Sequence, residues 1–83
     1  MVGAPIGSGT FDLRFPDERS ARAAAVDVRA GGFVITLAAQ AGGWLISGRR
    51  RQPFPLDERE RYANRLRVIA ATHGGAYDGF VGD

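Results

Sequence analysis

The chain has 83 residues, eleven of them Arg and none Lys, and its nine acidic side chains leave a formal charge of +2. That length makes one domain with a thin core, because a chain of this size buries only about 60–65% of its unfolded surface. The absence of Cys excludes disulfides and thiolate metal sites. No apolar run approaches the ~18 residues of a membrane span, and no basic segment followed by an apolar one opens the chain. A cytoplasmic protein is the expectation. A charge of +2 does not by itself imply nucleic-acid binding.

Residues 1–10 hold three Gly and one Pro without periodicity, which predicts a flexible tail. The alternative is a strap across the domain made through Val2 and Ile6. The domain proper is expected over residues 11–83. Phe11 to Phe15 alternates strictly, with Phe11, Leu13 and Phe15 on one side and Asp12 and Arg14 on the other. This is a half-buried strand, stopped by Pro16. Asp17 then caps a helix running to about Ala30. Ala21, Ala24, Ala25 and Val28 form its narrow apolar stripe, and Val26 lies off it. Gly31-Gly32 ends the helix.

Phe33 to Ala39 is a second strand, with Phe33, Ile35 and Leu37 facing the core. A turn at Gly42-Gly43 leads into a third strand over residues 44–50, forming a hairpin. Trp44, Ile46 and Gly48 are assigned to its buried face, and Leu45, Ser47 and Arg49 to the other. Gln52 to Pro55 reads as a rigid connector. Asp57 and Glu60 have capping-box spacing for a second helix reaching about His73. Its buried face is Tyr62, Ala63, Leu66, Ile69, Ala70 and His73. Ala76 to Val81 is the last strand.

The order is β-α-β-β-α-β. With right-handed crossovers it predicts an α+β domain of the ferredoxin-like βαββαβ plan, a four-stranded antiparallel sheet with both helices on one face.

No catalytic pattern stands out. His73 is the only His, and nothing in the spacing joins it to Ser20 or Ser47. Gly3, Gly7 and Gly9 precede a strand, whereas a phosphate loop follows one. A non-enzymatic protein without cofactor or metal is expected. RNA-recognition motifs share this scaffold but place aromatics on the open face in a set pattern; Gly43 to Arg49 does not match it. Arg49, Arg50 and Arg51 nevertheless suit a phosphate or an acidic protein surface.

Phe15-Pro16-Asp17, Gly31-Gly32-Phe33, Gly43-Trp44-Leu45, Arg49-Arg50 and above all His73-Gly74-Gly75-Ala76-Tyr77-Asp78-Gly79-Phe80 resemble the RraB-type regulators, the ribonuclease E inhibitor family. The resemblance spans about residues 11–81. It implies the same fold and a non-enzymatic role: binding a ribonuclease and altering RNA decay. Its motif positions are Trp44, Tyr77, Asp78, Gly79 and Phe80, for which filling the core, with a bulge at Asp78-Gly79, is the competing explanation. The partner-binding surface is expected on the open sheet face at Arg14, Leu45, Ser47 and Arg49, with Arg50 and Arg51 at its rim. An RNA-binding module using Arg49–Arg51, or a ligand-sensing module that dimerises through the open face, is the alternative. The chain is accordingly expected to be a monomer or a homodimer.

Overall fold

The computed structural model describes residues 6–82, and of Ile6 only the backbone. In chain order the elements are β1 (Ile6–Gly7), β2 (Gly9–Phe15), α1 (Glu18–Ala30), β3 (Phe33–Gln40), β4 (Gly43–Arg50), β5 (Phe54–Pro55), a single 3-10 turn (Leu56–Glu58), α2 (Arg59–Thr72) and β6 (Ala76–Gly82). The four long strands form one sheet in the order β3-β4-β2-β6, and every neighbouring pair is antiparallel. The protein is therefore α+β, with a four-stranded antiparallel sheet and two helices.

The pairing has a consequence for the helices. Strands β2 and β3 both run antiparallel to β4, so they are parallel to each other with β4 inserted between them. Strands β4 and β6 are likewise parallel across β2. Each helix thus connects two parallel strands separated by a third.

Period-two alternation sets the buried face of the sheet. Phe11, Leu13 and Phe15 are at most 3% exposed. In β4 their partners are Gly48, Ile46 and Trp44, so that set faces inward, as its uniformly non-polar character predicts. Ala21, Ala24, Ala25 and Val28 from α1, with Ala63, Leu66 and Ala70 from α2, complete one hydrophobic cluster with this face. The small Ala side chains let α1 approach the sheet closely. Val26 lies off the stripe and is 61% exposed.

Three local expectations are altered. First, of the segment expected as a tail, residues 1–5 lie outside the described residues, and with them the Val2 half of the strap. Ile6–Gly7 pairs with Phe54–Pro55 as a second, two-stranded sheet, and Gly9 and Thr10 extend β2. Second, Phe54 is not part of a bare connector: it is 4% exposed and belongs to the core. Third, the capping box does not form. Leu56–Glu58 turns as 3-10 helix and α2 starts at Arg59 with no side-chain cap. Pro55 leads directly into that tighter turn, which moves Asp57 off the cap position. At α1 the cap is present, with the Ser20 N–H donating to Asp17 Oδ1 at 2.8 Å.

Leu66 has no exposed surface, so Leu66→Ala should cost about 2–5 kcal/mol, read as a lower denaturation midpoint in urea. The Asp17 cap titrates. The donated Ser20 N–H, then the Ser20 hydroxyl, holds its carboxyl below the ordinary 3.8. A depressed carboxylate pKa contributes stability above the unfolded value and loses it as pH falls through the folded one. Asp17→Ala should therefore lower the melting temperature at neutral pH, and the gap from wild type should close as the pH drops below about 3.8.

Candidate functional site

The sheet's second face is built by the other half of the same alternation. Asp12 pairs with Ser47 and Ser47 with Thr36; Arg14 pairs with Leu45 and Leu45 with Ala38. Val34 pairs with Arg49. Arg14, Val34, Thr36, Ala38, Arg49, Asp78 and Val81 are exposed, while Thr10, Asp12, Leu45 and Ser47 are half-buried. Val34 is 50% and Val81 63% exposed. The face thus carries apolar side chains among polar and charged ones.

Cross-strand bonds order its polar groups. The Ser47 hydroxyl donates to Asp12 Oδ1 at 2.9 Å. The Arg14 Nε–H donates to Asp78 Oδ2 at 2.9 Å. The Arg49 Nη1–H reaches Thr10 Oγ1 at 3.5 Å. Asp78 reaches Arg14 because of a bulge. Asp12 pairs with Gly79 and Leu13 with Tyr77, which leaves Asp78 as the extra residue. Gly79 sits at φ +119°, a left-handed value that a side chain opposes.

Of the expected partner-binding residues, Arg14, Leu45, Ser47 and Arg49 share this face. Arg50 does not reach its rim. It continues the inward set Trp44, Ile46 and Gly48, and pairs with Phe33. Its guanidinium lies 5.1 Å from the Phe33 ring centroid and 4.7 Å from that of Tyr62, and Nη1–H donates to the Gly31 carbonyl at 2.7 Å. Arg51 lies past the end of β4 and lines a cavity together with Arg50. The arginine run is therefore split between two surfaces, since neighbouring strand residues point opposite ways.

The motif positions divide likewise. Trp44, Tyr77 and Phe80 are half-buried and pack against the core, and Asp78-Gly79 forms the bulge. Burial raises the Tyr77 phenol above its ordinary 10.0. All eight aromatic side chains lie in or against the core cluster. The Ser20 hydroxyl bonds Asp17, and the Ser47 hydroxyl bonds Asp12 across the β2–β4 pair. His73 Nε2 is 2.7 Å from Asp27 Oδ2, joining the end of α2 to α1. Among the described residues no helix is long and apolar enough to cross a membrane.

Comparison with protein-family models, with curated proteins and with solved structures gives no match.

Gly79→Val should destabilise the fold by about 1–3 kcal/mol, because a β-branched residue is strained at that φ. Asp78→Ala removes only an exposed ion pair and should cost at most about 1 kcal/mol. Thermal denaturation of both variants measures the difference.

Proposed function

We propose that the chain is a non-enzymatic regulator with a ferredoxin-like fold, and that it binds a protein partner through the open face of its sheet. The resemblance to RraB-type regulators makes ribonuclease E the candidate partner, and slower RNA decay the outcome. The interleaving of two parallel strand pairs, each interrupted by a third strand, supports the fold assignment.

One observation carries the functional reading. The six aromatics of the four-stranded sheet face the helix side, and its other face combines Val34, Leu45 and Val81 with Arg14, Arg49, Asp12 and Asp78. Apolar area among charged groups is how protein interfaces are commonly composed. RNA recognition on such a sheet depends on bases stacking on exposed aromatics, and this face presents none among the described residues. Ser20 and Ser47 each bond an aspartate and neither bonds His73, so no nucleophile–base pair is formed, which supports a binding role over nucleophilic catalysis.

Inhibition then needs no chemistry. A bound regulator covers part of the nuclease surface or holds one of its conformations, and the charged groups fix orientation more than affinity.

Purified ribonuclease E tests the reading by calorimetry and by RNA cleavage assay. The chain should bind and slow cleavage, and excess non-cleavable RNA should not displace it from the nuclease. Arg49→Glu and Leu45→Asp should each weaken association. Arg49→Glu should leave the melting temperature nearly unchanged, because exposed substitutions shift stability by about 0.5 kcal/mol or less. Absence of binding, or binding indifferent to both substitutions, would remove the open face. Direct RNA binding with a steep salt dependence would favour the RNA-binding alternative.

A further inference from the structure

Past the end of β4, on the helix side of the sheet, Gly32, Arg50, Arg51, Gln52, Pro53, Phe54, Pro55 and Tyr62 line a cavity of about 350 Å³ that is open to solvent on one side. This is the small end of the range for ligand pockets, about 300–1,000 Å³. Its walls are of two kinds. Phe54, Pro53, Pro55 and Tyr62 are apolar or aromatic. Arg50, Arg51 and Gln52 supply N–H donors, and no carboxylate is among the lining residues.

The position of Arg50 is set before any ligand arrives. Strand register directs it inward, the Gly31 carbonyl accepts from one terminal nitrogen, and the Phe33 and Tyr62 rings lie against it. Gly32 leaves it room: at φ +93°, a Cβ there would lie 2.9 Å from the Arg50 Nη1. Among the described residues neither Arg50 nor Arg51 is paired with a carboxylate. A half-buried cation held by rings and a carbonyl keeps its charge without a counter-ion, and its remaining N–H groups suit a planar or tetrahedral oxyanion.

We propose that this cavity binds a small organic oxyanion: a carboxylate or phosphate held by Arg50 and Arg51, carried on an apolar body that packs against Phe54, the two prolines and Tyr62. The cavity lies on the opposite side of the sheet from the protein-binding face, so the site stands or falls independently of that reading.

Amide chemical shifts of the full labelled chain test it, read at Gly32, Arg51, Gln52 and Tyr62. The probes are phenyl phosphate, benzoate, inorganic phosphate and benzyl alcohol. Phenyl phosphate or benzoate should give saturable shifts at these residues, and the tighter of the two identifies the oxyanion. Inorganic phosphate, lacking the apolar body, should bind at least about tenfold more weakly. Benzyl alcohol should not saturate. Arg50→Gln and Arg51→Gln should each weaken the better probe at least about tenfold. Arg51 is exposed, so its variant carries the test even if Arg50→Gln loses its fold. Lack of saturation by both aromatic anions, equal affinity for inorganic phosphate, or unchanged affinity in Arg51→Gln would overturn the proposal.

Discussion

The structure depends on the ring of Phe11. It has no exposed surface, and its centroid lies 4.7 Å from that of Phe80, 5.7 Å from Phe33, 5.9 Å from Phe54 and 6.3 Å from Tyr62. These partners come from β6, β3, β5 and α2. One side chain on β2 thus ties both edge strands, the small ribbon and the second helix to one point. Such aromatic pairs are worth about 0.5–1.5 kcal/mol each beyond the area they bury. In a domain with so thin a core, this concentration replaces the larger aliphatic interior that a longer chain would have.

The same concentration decides what the surface has to offer. Burial of the aromatics on the helix side leaves the other face with valines, alanines, one half-buried leucine and ordered polar pairs. That composition supports the proposed contact with another protein over base stacking. The bulge at Asp78-Gly79 belongs to this balance. It lets Tyr77 and Phe80 both face inward although they are three residues apart, where strict alternation would put them on opposite faces. It also places Asp78 beside Arg14.

The arginine run shows how one feature of a sequence serves two places in a fold. Arg49 lies on the open face near Thr10. Arg50 lies against Phe33 and Tyr62 on the reverse. Guanidinium suits both sites, because it stacks on rings and forms directed hydrogen bonds with a charge that is never lost. The hydrogen bond from Arg50 to the Gly31 carbonyl also joins the end of β4 to the α1–β3 turn.

Much of the architecture was legible in the residues, because it rests on local periodicity. The alternation of Phe11, Leu13 and Phe15, the Ala stripe of α1, the cap at Asp17, the inward set of Trp44, Ile46 and Gly48, and the buried face of α2 all follow from spacing within a few residues. Tertiary structure alone decided what distant residues do to one another. Ile6–Gly7 and Phe54–Pro55 are each too short to read as strands and become strands only by pairing together. The Asp57–Glu60 capping spacing was present, but the 3-10 turn after Pro55 displaced it. Arg50 looked like one member of a surface run, and its place was set by rings from β3 and α2 and a carbonyl nineteen residues away. Local pattern specifies which face a residue takes, whereas only the packed fold specifies what that face meets.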